Sequence, residues 1–406
     1  MTTTLDIVIK EARLRHEPGA FFDIGIHEGR IHSIEPVIRL SAHVEIAARG
    51  NLVTESFVDP HLHLDKVFTS HLADEHVQHS YMAASMGKAM KAIEVASLVK
   101  KHYQQDWIVE NVRRSIASAI RFGNTHIRAF ADVDSKARLE AVKALIQVRD
   151  ECRGVIEIQV VAFPQDGVVR EPGAAELVRE AMRLGADIVG GIPWIEYSDA
   201  DAKRHIDEMF SIAKECDRGI SMLVDDAGDP GLRCLEMLAL KTIEEGWQGR
   251  VLAHHARAMA LYPEPYLQKL VALLKAARIG IASNPHTAPL SVPIKELVQE
   301  GVLVCLGQDS NSDAYYPYGR NNMLEVAFLV SHVRWMTTAT DRELLYDLVT
   351  RNAAKAIGLT DFEVKVGAPA NLVVLGVPNV QEALRQHEAP THVISHGKVI
   401  AGVASH

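Results

Sequence analysis

The middle of this 406-residue chain repeats one pattern, a short apolar segment followed by a stretch compatible with an amphipathic helix. Repeated strand–helix units predict a parallel sheet, and eight of them predict a closed barrel. Apolar residues make up 48% of the sequence, which supplies enough material for a large core. The eight predicted strands are Val58–Asp65, Thr125–Asp132, Ile156–Phe163, Ile188–Pro193, Ile220–Asp225, Val251–His255, Ile279–Asn284 and Leu303–Asp309.

Both ends of the chain carry short apolar segments separated by glycines, without helical stretches between them. Such segments are typical of β-strands. We therefore predict an α/β protein with a (β/α)8 TIM-type barrel over residues 57–359, and a small β-sandwich domain that residues 1–56 and 360–406 form together. The terminal strands are predicted at Asp6–Lys10, Phe22–Ile26, Arg30–Ile34, Ala370–Leu375 and His392–Ile400.

Charge and composition exclude several classes of protein. The 43 lysines and arginines against 52 acidic residues give a net charge of −9, which is not typical of a nucleic-acid-binding protein. The four cysteines lie far apart and there is no apolar run of about 18 residues, so we expect neither a disulfide framework nor a membrane span. The first residues show no secretory signal. We expect a cytoplasmic homo-oligomer that binds no nucleic acid and no membrane.

The first predicted barrel strand contains a pair of histidines within the segment Phe57-Val-Asp-Pro-His-Leu-His-Leu-Asp-Lys66. Side chains alternate between the two faces of a strand, so His61 and His63 share one face with Asp59 and Asp65. In a barrel the apolar side chains of the other face meet the outer helices, which places both histidines inside. Two imidazoles one pleat apart can bind the same metal ion, and we predict that these two do.

Two further predicted strands end in residues that can carry chemistry. The last one ends in Asp309 after an apolar run, and a buried carboxylate needs a charged partner or a metal ion to offset its lost hydration. The alternative is that Asp309 caps the following helix. The sixth strand ends in His254 and His255, of which we expect only one to face the interior. Active sites of such barrels lie at the carboxyl ends of the strands, so Asp309 and His255 are site candidates, and the other histidine is expected to pack against a helix or reach a neighbouring residue.

Four segments give the chain a resemblance to a known family. His61-Leu-His-Leu-Asp65 is similar to the HxHLD of bacterial cytosine deaminases, and Val161-Ala-Phe-Pro-Gln-Asp-Gly167 is similar to their VAFPQxG. Leu184–Pro193 and Tyr316–Leu324 match in kind, while Lys66 is like the residue of N-isopropylammelide amidohydrolases at that place. The sequence thus resembles the amidohydrolase superfamily, in the branch that contains these two groups.

The resemblance implies a hydrolase with one divalent transition-metal ion, zinc or iron, which activates a water molecule for attack on a ring carbon. It implies that His61 and His63 are metal ligands, and that Asp309 binds the metal and takes the proton of the attacking water. His255 corresponds to a histidine that stabilises the nucleophile and the developing oxyanion. Gln165 corresponds to a glutamine that hydrogen-bonds the substrate ring.

The chain departs from the family pattern at the fifth predicted strand. Leu223 occupies the place of a histidine ligand, and Asp226 occupies that of a catalytic glutamate. Asp225 has the same strand parity as Leu223, so its carboxylate is a candidate for the missing ligand. The alternatives are His255, a water molecule, or a metal that is weakly bound or absent. We expect Asp226 to be catalytic, with a helix cap as its alternative role.

Residues near the strand ends also indicate what the site binds. Trp194 and Tyr315 are aromatic side chains that can enclose a flat ring, and Lys66 and Arg320 are cations that can bind a substrate carboxylate. For Lys66 the alternative is a salt bridge with a neighbouring aspartate. The predicted substrate-binding residues are Lys66, Gln165, Trp194, Ser310, Tyr315 and Arg320.

The expected activity is deaminase-like hydrolysis of a small planar nitrogen heterocycle, with displacement of an exocyclic amino, alkylamino or thio group. Cytosine is not the expected substrate, because Gln308 and Ser310 flank Asp309 where the deaminases have a histidine and a second acid. One alternative is ring opening of a cyclic amide, as in hydantoinases, but Ile188–Pro193 lacks the lysine that bridges their two metals. Another is an inactive barrel that binds a ligand.

Overall fold

The computed structural model describes residues 4–17, 19–72, 97–286 and 290–402. A sheet of eight neighbouring parallel strands forms the centre, in the order β6-β7-β8-β9-β10-β11-β12-β13. The strands are β1 (Leu5–Ala12), β2 (Phe22–His27), β3 (Arg30–Glu35), β4 (Ala42–Ala47), β5 (Val53–Glu55), β6 (Phe57–Leu62), β7 (Asn124–Asp132), β8 (Glu157–Phe163), β9 (Ile188–Gly191), β10 (Gly219–Val224), β11 (Val251–His255), β12 (Gly280–Ser283), β13 (Val304–Leu306), β14 (Leu372–Val374), β15 (His392–Ser395) and β16 (Lys398–Gly402).

Helices connect the central strands and cover their outer side, as the amphipathic stretches predict. One of them begins where the Ser198 side chain accepts the backbone N–H of Asp201, and another ends at Gly185, which has a left-handed φ of 110°. The α-helices are α1 (Gln105–Arg121), α2 (Glu140–Glu151), α3 (Ala174–Leu184), α4 (Asp199–Cys216), α5 (Cys234–Glu244), α6 (Glu264–Ala277), α7 (Ile294–Gln299), α8 (Met323–Val333), α9 (Ala339–Leu348), α10 (Arg351–Ala356) and α11 (Val380–Gln386).

The barrel closes between the first and the last of its strands. Beyond the end of β13 the backbone N–H of Asp309 donates to the carbonyl of His61 at 2.8 Å, and the N–H of His63 donates to the carbonyl of Asp309 at 2.9 Å. The Asp59 carboxylate accepts the backbone N–H groups of His61 and Gln308, both at 3.1 Å. The predicted (β/α)8 barrel is therefore confirmed, with its closing hydrogen bonds at the carboxyl ends of the strands.

Strands from both ends of the chain form two four-stranded sheets, β3-β2-β1-β4 and β16-β15-β14-β5. Apolar side chains of the two sheets pack into one core, which includes Ile9 and Ile24 from the first sheet and Leu372 and Ile394 from the second. The segment predicted as one strand at His392–Ile400 is two strands, because His396 and Gly397 take left-handed φ angles and turn the chain. The domain division at residues 56/57 and 359/360 stays a proposal.

No helix in the described ranges is both long and apolar enough to cross a membrane.

Gly307 provides a test of the closing seam. A Cβ at this position would lie 2.6 Å from the Cβ of His61 and 2.5 Å from Oδ1 of Asn284. We expect Gly307→Ala to lower the free energy of unfolding by about 1–3 kcal/mol through overpacking, as measured by urea unfolding. Gly19→Ala is the control, because a Cβ there has nothing within 4 Å. Equal stability of the two variants would contradict the tight approach of the strands.

Candidate active site

His61 and His63 lie at the carboxyl end of β6, and both are buried. Their Nε2 atoms are 3.4 Å apart, so the two imidazoles converge as the alternation of side chains predicts. Burial, together with the charge of Lys66, lowers the pKa of His63 well below its ordinary value. The ring is therefore neutral at physiological pH, which is the state in which a histidine binds a metal.

Asp309 faces the same point from the other side of the closing seam. Its Oδ1 atom is 3.1 Å from Nε2 of His61, 3.5 Å from Nε2 of His63 and 4.0 Å from Nε2 of His255. Burial by itself would raise the pKa of Asp309, but the imidazoles around it hold the pKa well below its usual range. The site thus contains an ionised carboxylate within reach of three imidazole nitrogens.

His255 reaches the site because the chain turns at the end of β11. His255 and Ala256 have φ angles of 66° and 50°, so the alternation of the strand stops there. The Nδ1 atom of His255 lies 3.3 Å from a carboxylate oxygen of Asp226, and Arg257 lies 3.1 Å from that same oxygen. Asn284 places its amide nitrogen 3.3 Å from Nε2 of His255. Both nitrogens of the His255 ring therefore have polar neighbours that restrict its orientation.

The expectation that only one of the two adjacent histidines faces the interior is wrong. The ring centroid of His61 is 4.6 Å from that of His254 and 5.1 Å from that of His255. His254 is fully buried, and its Nδ1 atom is 2.7 Å from Nδ1 of His61. Both rings therefore lie within the candidate site, where only His255 was expected. Their adjacency was visible in the sequence, but the turn that admits both rings was not.

This donor set fits a transition-metal ion. His61, His255 and Asp309 each offer an atom within 4.8 Å of the others, and all three residues are buried. His63 adds a third imidazole nitrogen beside them. Three imidazole nitrogens and one carboxylate oxygen suit zinc or iron better than magnesium or calcium, which prefer oxygen ligands alone.

The structure places Asp225 outside this donor set, contrary to the prediction that it supplies the missing ligand. Its two carboxylate oxygens accept the backbone N–H groups of Cys234 and Leu235, at 2.9 and 3.0 Å, and the Tyr262 hydroxyl donates to Oδ2 at 3.1 Å. The physical reason is the φ of 48° at Asp225, which ends the alternation of β10 and directs the carboxylate to the first turn of α5. Leu223 is buried and offers no ligand atom.

Three of the six predicted substrate-binding residues, Lys66, Gln165 and Tyr315, lie close to one another. The Lys66 ammonium donates to both oxygens of Asp132, at 2.8 and 2.9 Å, and to Oε1 of Gln165 at 2.6 Å. It also lies 5.4 Å from the centre of the Tyr315 ring. Lys66 therefore has the aspartate partner that the sequence analysis gave as its alternative role, and it holds Gln165 at the same time.

The remaining three differ in position. Trp194 and Ser310 are buried, and Nε1 of Trp194 has no hydrogen-bond partner within the described part of the chain. Arg320 does not join them: its side chain is half exposed, pairs with Glu325 and packs over the Phe122 ring. The prediction that Arg320 binds substrate has no support in this position. The physical reason is the ion pair within its own segment, which keeps the guanidinium at the surface.

Comparisons with known proteins agree with this geometry. Residues 44–401 match the model of the Amidohydrolase family. The chain is 31% identical over 402 residues to the N-isopropylammelide isopropyl amidohydrolase of Pseudomonas sp. (strain ADP), covering 98% of each protein. It is 26% identical to the pterin deaminase of Rhizobium rhizogenes (strain K84 / ATCC BAA-868), covering 93% of this chain and 87% of that one. The crystal structure of 5-methylcytosine deaminase from Klebsiella pneumoniae, liganded with 5-fluorocytosine, superposes with a TM-score of 0.89 at 30% identity, covering 98% of each chain.

The position of Asp225 makes a testable distinction between a structural and a metal-binding role. We expect Asp225→Ala to lower the free energy of unfolding by about 1–3 kcal/mol for each buried N–H left without an acceptor, with no change in bound metal. Urea unfolding and elemental analysis measure the two quantities. Glu180→Ala, at an exposed carboxylate within α3, is the control and should change neither. Loss of metal at unchanged stability would restore the ligand hypothesis.

Proposed function

This chain belongs to the amidohydrolase family, and from that premise we propose that it displaces an exocyclic amino, alkylamino or thio group from a small planar nitrogen heterocycle by metal-dependent hydrolysis. The observation that carries the proposal is the buried cluster of three imidazoles and one carboxylate at the closing seam of the barrel. The named relatives act on N-isopropylammelide, pterin and 5-methylcytosine, all of which are planar nitrogen rings.

We assign His61, His63, His255 and Asp309 to one divalent ion, zinc or iron. When bound, the ion supplies an activated water molecule as the nucleophile. In this assignment His255 supplies the metal ligand that Leu223 cannot provide. The assignment is supported by the position of Asp225, which lies outside the donor set. The Asp309 carboxylate, ionised and at the centre of the cluster, accepts the proton of the attacking water.

Asp226 is proposed to return a proton to the leaving group. Burial raises the pKa of this carboxyl to about 7, against the opposing charge of Arg257, so it holds a proton for part of the time at neutral pH. It contacts His255, which places it beside the reacting centre. A carboxyl group that is partly protonated and partly ionised at neutral pH can both accept and donate a proton within one turnover.

Lys66, Gln165, Trp194, Ser310 and Tyr315 are proposed to hold the substrate ring. Aromatic rings cover the faces of a flat heterocycle, while amide and ammonium groups bind its edge. The fixed contact between Lys66 and Gln165 supports this arrangement, because it presents the two groups as one unit. Ser310 stands where the deaminases have a second acid, so the substrate is expected to differ from cytosine.

Strand β9 argues against the ring-opening alternative, in which a lysine bridges two metals. A Cβ at Gly190 would lie 2.6 Å from the carbonyl oxygen of Ala162, and one at Gly191 would lie 3.1 Å from Nε2 of His205. A side chain at Gly190 would collide with the backbone, and one at Gly191 would require the neighbouring side chains to shift. The close packing of this strand therefore supports a site for one ion.

Replacement of His61 tests the metal site directly. We expect His61→Ala to lose both the bound metal and all turnover, because one of the central ligands is removed. Elemental analysis of protein expressed with zinc or iron, and release of ammonia, amine or sulfide from a panel of aminopyrimidines, triazines and pterins, measure the two effects. His126→Ala is the control, since His126 is also buried but lies at the start of β7. Full metal content in His61→Ala would refute the site.

Replacement of Asp226 separates the proposed proton transfer from metal binding. We expect Asp226→Asn to lower kcat by about 10²- to 10⁴-fold while the metal stays bound, because the amide has nearly the same shape but transfers no proton. Turnover on the best substrate of the panel and elemental analysis are the measurements. A variant that works at the full rate would show that Asp226 has no catalytic role.

A further inference from the structure

We propose that His254 is a positioning residue for the metal site, which accepts a hydrogen bond from Nδ1 of His61 and so fixes the tautomer and orientation of that ligand. This inference rests on the proposed function, because it takes His61 to be a metal ligand. His254 itself is not assigned to the metal. Its effect on the reaction acts through His61 alone.

The distance between the two rings carries the argument. The Nδ1 atoms of His61 and His254 are 2.7 Å apart, which is hydrogen-bond distance. Two imidazole nitrogens this close need one proton between them, because two lone pairs or two N–H groups would repel each other. One ring must donate and the other must accept.

The other side of His61 decides which ring donates. Its Nε2 atom faces Oδ1 of Asp309 and Nε2 of His63, and a metal ligand at this position carries no proton on Nε2. The proton of a neutral His61 is then on Nδ1, and it is donated to Nδ1 of His254. His254 in turn carries its proton on Nε2. A metal-binding histidine usually donates its second N–H to an acceptor of this kind.

The surroundings of His254 confine its ring to one orientation. Phe130 packs against His61, at 4.3 Å between ring centroids, and against His254, at 5.1 Å, so one aromatic ring confines both histidines. His254 is itself fully buried, so its ring has no solvent-exposed position to turn into.

His254 also lies where the departure from the family pattern occurs. In the pairing of β10 with β11, Leu223 is the direct partner of His254. The strand that has Leu223 at the ligand position is therefore adjacent to a strand that ends in two histidines. The Nε2 atom of His254 is buried and has no hydrogen-bond partner among the described residues, which costs free energy that an apolar residue would avoid. The contact with His61 gives a reason for an imidazole at this place.

Two substitutions of His254 separate the hydrogen bond from simple packing. His254→Leu introduces an apolar side chain of similar size that cannot accept a hydrogen bond. His254→Asn instead places an amide oxygen close to the position of Nδ1, where it can accept one. We expect the dissociation constant for zinc, measured on the full chain by competition with a chelator, to rise 10- to 100-fold in His254→Leu. In His254→Asn it should stay within about threefold of the wild type, as rescue of a single accepted hydrogen bond requires.

A spectroscopic measurement on cobalt-loaded protein complements the affinity. We expect the visible absorption bands of bound Co²⁺ to change in His254→Leu and to be retained in His254→Asn. His126→Leu is the matched control, because it replaces another buried histidine away from the site, and it should alter neither affinity nor spectrum. A folded His254→Leu variant with wild-type zinc affinity and cobalt spectrum would overturn the proposal.

The tautomer can be determined in the unmodified protein, which covers the case in which His254→Leu does not fold. In zinc-loaded protein with ¹⁵N-labelled histidines, we expect NMR to show His254 protonated on Nε2 and His61 on Nδ1. The reverse pattern would overturn the proposal. If the proposed function itself is wrong, His61→Ala keeps its bound metal. This outcome does not depend on the results for the His254 variants, so the two failures can be told apart.

Discussion

The closing seam of the barrel is the interaction on which the site depends. The last strand joins the first through hydrogen bonds between the backbone of Asp309 and that of His61 and His63. These are the same residues whose side chains converge on one point. Closing the barrel and assembling the donor set are therefore one event, and the ligands from the two ends of the sheet meet only if the strands pair in this register.

The same arrangement concentrates polar groups where water is excluded. Burial disfavours the charged forms of His63 and His255, whose pKa values are strongly lowered, while the pKa of Asp309 lies well below its usual range. A buried ionised carboxylate carries an electrostatic cost that a divalent cation would offset. These two histidines and Asp309 therefore favour the protonation states that metal binding requires.

A second network of buried charges lies beside the candidate metal site, where His63, Asp65 and Asp132 offer atoms within 4.8 Å of one another. Both oxygens of Asp132 accept hydrogen bonds from Lys66, and Lys100 lies 3.1 Å from Oδ2 of the same carboxylate. Lys100 also pairs with Asp134 and Asp166. Because Lys66 bonds to Gln165 as well, this network fixes the residues proposed to bind the ring relative to the strand that carries the histidines.

The sequence by itself determined the barrel, the terminal sheets and the pair His61 and His63, because strand and helix periodicities are local and alternation assigns each side chain to a face. Only the tertiary structure decided the rest of the site. Left-handed φ angles at Asp225 and His255 end the alternation, turning the first towards α5 and the second into the barrel beside His254. Such turns at strand ends, and the contacts that hold them, depend on residues distant in the chain, so local periodicity does not reveal them.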